Sequence, residues 1–326
     1  MRPFAFQRST SVDDALARRA ASPGSAFLAG GTTVIDLVKL DVMRPGNLID
    51  INRVPLAQVE READGRLRIG ALVRNSELAW HPEVKRDYPL LSAAILAGAS
   101  TQIRNMATTA GNIMQRTRCP YFRDNLSPCN KRDPGTGCAA QEGYNRMHAI
   151  LGGSEACIAT HPSDLCVALA ALDADLILRR PAGERMMNVR DFHLLPGHTP
   201  EKEHALKPGE MITAVSLPVL PRGSRQHYVK LRDRDSFEFA LASAAVIVWV
   251  NAGRIRNARV ALGGVGTKPW RAIAAENVLR GAAAEPVTFR RAAEAALQDA
   301  QPRRHNAFKI RLAQQVIERA LSAATS

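Results

Sequence analysis

No stretch of this 326-residue chain approaches the roughly 18 consecutive apolar residues that a membrane-spanning helix needs. The longest apolar run, ALASAAVIVWV at 240–250, has strand character at its end. The amino terminus, MRPFAFQRSTSVDDALARRA, lacks the apolar run of about 7–15 residues found in secretory signals. The expectation is a chain that stays in the cytoplasm or crosses a membrane already bound to a partner. Aromatic residues make up only 5% of the chain, and acidic residues are outnumbered, leaving a net charge of +13. The basic residues are scattered and not interleaved with aromatics, which argues against nucleic acid as the partner. An acidic subunit, a phosphate-bearing cofactor or a merely soluble surface stays open. No Rossmann fingerprint is present: GGVGTKP (263–269) comes nearest, runs into Pro269 and reads as a hairpin or loop turn. No P-loop occurs either, so a dinucleotide would have to sit on a different fold.

What is present has the pattern of a two- or three-domain α+β protein, with 46% hydrophobic residues to build its cores. Residues 1–53 read as β-α-β-α-β: FAFQ, a helix with a Ser11/Asp14 capping pattern, the buried strand SAFLAGG, a helix with Val34, Leu37 and Val38 on one face, and NLIDIN. From 54 to 221 come the strand LRIGALV, helical sequence broken at HPEV and DYP, a Thr/Gly/Asn-rich stretch, a cysteine-bearing segment at about 115–157, the capped helix and strand HPSDLCVALAALDADLILRR, and the strand LKPGEMITAVSLPV. LPVLPRGSRQ looks like a linker, which places a boundary near residue 222. The 222–326 part reads as two or three antiparallel strands followed by three helices, the last with Ile310, Ala313, Ile317 and Leu321 in one stripe.

Three stretches could hold a phosphate-bearing cofactor. FLAGGTT (27–33) ends a strand and opens a helix, where backbone N–H groups and close approach at glycine suit a pyrophosphate. Taken alone, a tight turn with Thr caps explains it equally well. IRNMATTAGN (103–112) is too polar for a core and has small residues against which a flat ligand can lie. HPSD (161–164) puts Asp164 at a helix start, a position that also suits an N-cap.

In this order and spacing the three stretches resemble the FAD-binding subunit of the xanthine dehydrogenase/molybdenum hydroxylase family. The matching residues are Ala29-Gly30-Gly31-Thr32, Arg104 to Asn112, and Thr160 to Leu165, with PGEMIT (208–213), YVKLRDRDSFEFALASAAV (228–246) and ALGGVGTKPWRA (261–272) extending the likeness over essentially the whole chain. Ala110 stands where the family usually has Gly. The resemblance implies a vanillyl-alcohol-oxidase-type (PCMH-like) fold, with two FAD-binding subdomains followed by a C-terminal α+β domain. It implies FAD on Ala26, Phe27, Leu28, Ala29, Gly30, Gly31, Thr32, Thr33, Val34, Thr108, Gly111, Asn112, Asp164, Ile212 and Lys230, with Ile95 or Leu96 near the flavin ring. It also implies two partners: a molybdenum cofactor-binding large subunit and a [2Fe–2S] small subunit.

The five cysteines follow the spacing C-x9-C-x8-C-x18-C-x8-C. Five is odd for disulfides, and the C-x2–4-C knuckle usual for structural zinc is missing. Four thiolates can hold a [4Fe–4S] cluster without a fixed spacing, and Arg116, Arg118, Arg123, Lys131 and Arg132 could offset its charge. QRTRCPYFRD, PCNKR, GTGCAA and NRMHA are similar to an insertion in the FAD-binding subunits of periplasmic aldehyde oxidoreductases, which implies Cys119, Cys129, Cys138 and Cys157 as [4Fe–4S] ligands. Cys166, inside the capped helix, reads as a small buried hydrophobe. The resulting expectation is an electron-transfer subunit exported with a Tat-targeted partner. Its rivals are the flavin subunit of an aromatic-CoA reductase and, in another class, a nucleic-acid-binding iron–sulfur or zinc protein.

Overall fold

A computed structural model describes all of Met1–Ser326. The first 53 residues build a three-stranded parallel sheet with Asn47–Asp50 between Ala5–Arg8 and Ala26–Leu28. The helix Val12–Ala21 starts where expected, with Ser11 accepting the Asp14 N–H at 3.1 Å. Asp14 instead turns to Arg18, one helical turn on. The central strand is buried throughout, but Ala26–Leu28 is only half-buried, contrary to expectation, because it is the sheet edge that borders a groove. Leu16, Ile49 and Ile51 pack against Leu72 and Met211 of the following part, which fixes this small sheet to its neighbour.

The second part holds a five-stranded antiparallel sheet in the order Val59–Arg61, Leu67–Gly70, Met211–Leu217, Asp175–Arg180, Gly183–Asn188. The two outermost strands, VER and GERMMN, carry too little apolar alternation to be read from the sequence; pairing to a neighbour makes them strands. Helices Asn75–Trp80, Pro82–Asp87 and Pro89–Ala97 break before each proline, which tolerates the first turn of a helix but not its interior. The first two pack on Pro89–Ala97, which in turn packs on the helix Asp164–Leu172, whose nine residues are all buried. Ser163, not Asp164, is its N-cap, accepting the Cys166 N–H at 3.0 Å.

The last part contains four antiparallel strands rather than two or three: Ser224–Leu231, Ala242–Asn251, Arg254–Gly263 and the two-residue Trp270–Arg271. Helices Ile273–Leu279, Pro286–Ala296 and Phe308–Thr325 share a second large core with them. The longest apolar run is a central strand of this sheet, buried from Ala242 to Val248. No helix is long and apolar enough to cross a membrane. On Phe308–Thr325, Ala313, Ile317 and Leu321 are buried as expected, with Ile310 at the margin.

Lys309, on the same helix, is fully buried. Its ammonium donates to the carbonyls of Met147, His148 and Gly264 at 3.3, 3.0 and 2.5 Å. It thereby ties the C-terminal helix to the end of the cysteine segment. Lys309→Met would leave these acceptors without a donor, and a loss of about 2–4 kcal/mol is expected in chemical denaturation.

Candidate functional site

The edge strand Ala26–Leu28, the turn after it, the loop 201–210 and the start of the strand Met211–Leu217 border a groove of about 800 Å³. Of the expected cofactor residues, Ala26 to Val34 line it with the exception of Leu28, together with Thr108, Gly111 and Ile212. Gly31 has φ +74°, in the left-handed region that favours glycine. Gly30 is required for packing, since a Cβ there would lie 1.9 Å from the Met106 carbonyl oxygen. Thr33 makes no side-chain capping bond to the helix Val34–Lys39, so capping does not account for the Thr pair. The backbone N–H groups of Gly30, Gly31, Thr32 and Thr33 donate to no group of the protein. Four uncommitted donors on one glycine turn at a helix start are available to an anion.

The opposite wall is equally determined. Thr108 accepts the Gly111 N–H at 3.2 Å, and Thr109 donates to Val73 O at 3.0 Å. Ala110 lines the groove with its N–H committed to Ala71 O at 2.9 Å, so the methyl that replaces the family glycine narrows the wall without breaking it. The groove therefore suits FAD: a glycine turn with free donors for the pyrophosphate, and a small-residue wall for the flavin.

Leu28, Asn112, Asp164 and Lys230 do not line the groove. Asn112 accepts from Ser163 O–H at 2.6 Å and from Gln115 at 2.7 Å. Asp164 accepts from Tyr228 O–H at 2.5 Å and from Lys230 Nζ at 2.8 Å, and Lys230 also donates to Ala97 O at 3.0 Å. Burial first, and then the Asp164 charge, push the Tyr228 phenol well above its ordinary value. This buried pair braces the helix Asp164–Leu172 against the strand Ser224–Leu231. Lys230→Met leaves the carboxylate buried without its cation, and a loss of roughly 3–5 kcal/mol is expected by thermal or denaturant unfolding. Ile95 is a core residue and Leu96 packs against the same core; neither reaches the groove.

The cysteine segment is irregular, with one short helix, Pro120–Arg123, and isolated bridges at Cys129–Cys138 and Ser154–Cys157. Turn chemistry shapes it. The Asn130 side chain accepts the N–H groups of Gly135 and Gly137 at 3.1 and 2.8 Å, and both glycines have positive φ. Cys119, Cys129, Cys138 and Cys157 converge on one small pocket, and no cysteine is in a disulfide. Burial pushes the Cys119 thiol up to about 12, Cys157 up to about 11, and Cys138 upward. Backbone N–H groups oppose this: those of Phe122 and Tyr121 at Cys119, of Ala140, Ile158 and Gln141 at Cys138, and of Ala159 at Cys157. His148 Nε2 lies 3.1 Å from Cys119 Sγ. A pocket that gathers four buried or half-buried thiols, with backbone donors at three of the sulfurs, suits thiolates held by a cationic centre.

The expected cationic shell is corrected by the geometry. Arg118 and Arg123 pair with Asp36 at 2.9 and 2.8 Å, and Arg116 pairs with Glu203 at 2.6 Å. The Arg132 guanidinium donates to the carbonyls of Tyr121, Phe122 and Asp124, bracing the loop instead of facing the sulfurs. Lys131 is the one charged non-cysteine side chain on the pocket wall. Cys166 lies outside the pocket, fully buried in its helix. It approaches His161 and His193 within 4.8 Å. His161 Nδ1 accepts the Ser163 N–H at 3.3 Å, which leaves the ring proton on Nε2, so that nitrogen offers no lone pair to an ion.

Residues 2–220 match the family described as the FAD binding domain in molybdopterin dehydrogenase, and residues 226–324 match the CO dehydrogenase flavoprotein C-terminal domain. The chain is 49% identical over 326 residues to the aldehyde oxidoreductase FAD-binding subunit of Escherichia coli (strain K12), covering 99% of both chains. It is 27% identical to the carbon monoxide dehydrogenase medium chain of Hydrogenophaga pseudoflava, covering 98% of this chain and 96% of that one. The solved structure of carbon monoxide dehydrogenase from the same organism superposes with a TM-score of 0.78 at 26% identity, over 100% of this chain and 99% of the other. The fold is accordingly the PCMH-like FAD-binding fold with a C-terminal α+β domain. With an anion-binding glycine turn at the groove and a match along almost its entire length, the chain belongs to the FAD-binding medium subunits of the molybdenum hydroxylases and is an oxidoreductase subunit of that type.

Proposed function

We propose that this chain carries FAD and a [4Fe–4S] cluster as the electron-transfer subunit of a molybdenum aldehyde oxidoreductase. Its partners in this reading are a large subunit holding the molybdenum cofactor and a small [2Fe–2S] subunit, from which electrons reach the flavin and leave to an external acceptor. When bound, the two groups supply the one- and two-electron redox chemistry, and the protein supplies binding, orientation and electrostatics. The free N–H groups from Gly30 to Thr33 would hold the pyrophosphate, with Thr108, Gly111 and Ile212 against the rest of the cofactor. Cys119, Cys129, Cys138 and Cys157 would hold the cluster. His148 would donate a hydrogen bond to a ligating sulfur, a contact of the kind that tunes cluster potentials.

The observation that carries the cluster is the convergence of four thiols, two buried and two half-buried and 38 residues apart at their extremes, on one pocket with backbone donors at three of the sulfurs. The aldehyde reading rests on the near-full-length likeness to the Escherichia coli subunit. A visible spectrum of the purified protein, with acid-released flavin and iron assayed, tests both groups. The expected result is one flavin and about four irons per chain; flavin without iron would remove the cluster.

The same reading places the protein in the periplasm, carried there by a Tat-targeted partner. Cell fractionation is expected to find it there only when the partner keeps its signal peptide. Export of the chain alone would contradict this.

A further inference from the structure

One carboxylate links the thiol pocket to the groove. Glu203 lies in the loop between the short helix Val189–Phe192 and the strand Met211–Leu217. Its Oε2 accepts a hydrogen bond from Arg116 Nε at 2.6 Å, and its Oε1 stands 3.1 Å from Lys131 Nζ. Lys131 lines the thiol pocket, and its ammonium is also fixed by Pro200 O at 2.8 Å. Arg116 lines the groove, and its guanidinium lies over the ring of Phe122 at 4.5 Å. Phe122 in turn forms part of the thiol-pocket wall. Glu203 itself lines the groove. The three side chains are between 10% and 24% exposed, so their charges are only partly screened by water.

Holding two cations and one anion away from water costs desolvation that a well-packed apolar contact would avoid. The arrangement brings one positive charge to the wall of each site and places one negative charge between them. An electron added at either site adds negative charge, which a nearby cation stabilises, and net local charge is one of the determinants of cluster potentials.

We propose that the Arg116–Glu203–Lys131 triad couples the two cofactor sites electrostatically: Lys131 raises the midpoint potential in the thiol pocket, Arg116 raises that in the groove, and Glu203 holds both cations while offsetting part of each. All three are positioning residues. The inference rests on the FAD and [4Fe–4S] reading above.

The test is a potentiometric titration of the holo complex, following the cluster by EPR and the flavin by visible absorbance, with iron and flavin contents measured on the same samples. Glu203→Gln removes the negative charge between the sites, and both midpoints are expected to move positive. Lys131→Met is expected to move the cluster midpoint negative by more than it moves the flavin midpoint, with Arg116→Met doing the reverse. Lys131→Arg keeps the charge and is expected to return the cluster midpoint towards that of the wild type. A Glu203→Gln variant in which only one midpoint moves, or neither, overturns the coupling and leaves the triad a brace for its loop. If that variant does not fold, the Lys131 pair decides alone: equal shifts at both sites in Lys131→Met, or none, overturn the proposal. Wild-type protein without iron would sink the underlying reading and the coupling with it. Wild-type protein with both groups and unmoved midpoints in the variants would sink the coupling only.

Discussion

Serine at Cys119, Cys129, Cys138 or Cys157 is expected to bring bound iron below about four atoms per chain, whereas Cys166→Ala keeps the wild-type content. The four share one pocket, and the segment around them is held mostly by hydrogen bonds and ion pairs, with little apolar packing of its own. Its local apolar cluster consists of Leu37, Phe122 and Cys129, with Cys119 packed alongside. In the cluster reading, losing a ligand would remove both a metal bond and part of the loop's support, as in small domains folded by their metal. The loosened segment is expected to be cleaved more readily by protease in the four Ser variants. Cys166, by contrast, sits in a helix whose every residue is buried, and truncation there costs on the order of 1 kcal/mol. Iron assays and EPR on the five single variants check this. Iron loss in Cys166→Ala with retention in Cys157→Ser would reassign the fourth ligand.

Gly31→Asp is expected to abolish flavin binding while leaving the chain soluble. The residue sits at φ +74°, where an L side chain costs about 1–2 kcal/mol, and an added Cβ would stand 3.2 Å from Ile35 Cγ1. The larger effect is the carboxylate, which would lie beside the four free N–H donors and compete with a pyrophosphate for them. Gly31→Ala separates the two contributions, since it carries the strain without the charge. Its flavin affinity is expected to fall by about tenfold, the equivalent of roughly 1.4 kcal/mol. Flavin-to-protein ratios and flavin titration of the apoprotein measure both variants, and full occupancy in Gly31→Asp would move the pyrophosphate elsewhere. Gly30→Ala is a different case. Its Cβ would collide with the backbone at Met106, so a drop in stability is expected along with the loss of flavin.

The local elements were legible because their determinants are local. Ser11 caps its helix, prolines 82 and 89 begin theirs, and the parallel β-α-β-α-β order of the first 53 residues follows from alternating apolar runs and turns. The edge strands VER and GERMMN were not legible, because they become strands only through hydrogen bonds to a neighbouring strand.

For the site, the sequence by itself determined the composition of the glycine turn and supplied four cysteines with no pairing partner of their own. It also determined that neither a Rossmann turn nor a P-loop is available. Only the tertiary structure decided which charges face those sites. Five basic residues near the cysteines look equivalent in a linear chain, yet Asp36 captures two of them, backbone carbonyls take Arg132, and Glu203, at a sequence distance of 87 residues from Arg116, fixes the other two. Likewise Asp164 pairs with Lys230 and Tyr228, partners 66 and 64 residues away along the chain. The physical reason is the same in each case. A charge removed from water settles against the acceptor or opposite charge that the fold brings to it, and no local pattern specifies which one that is.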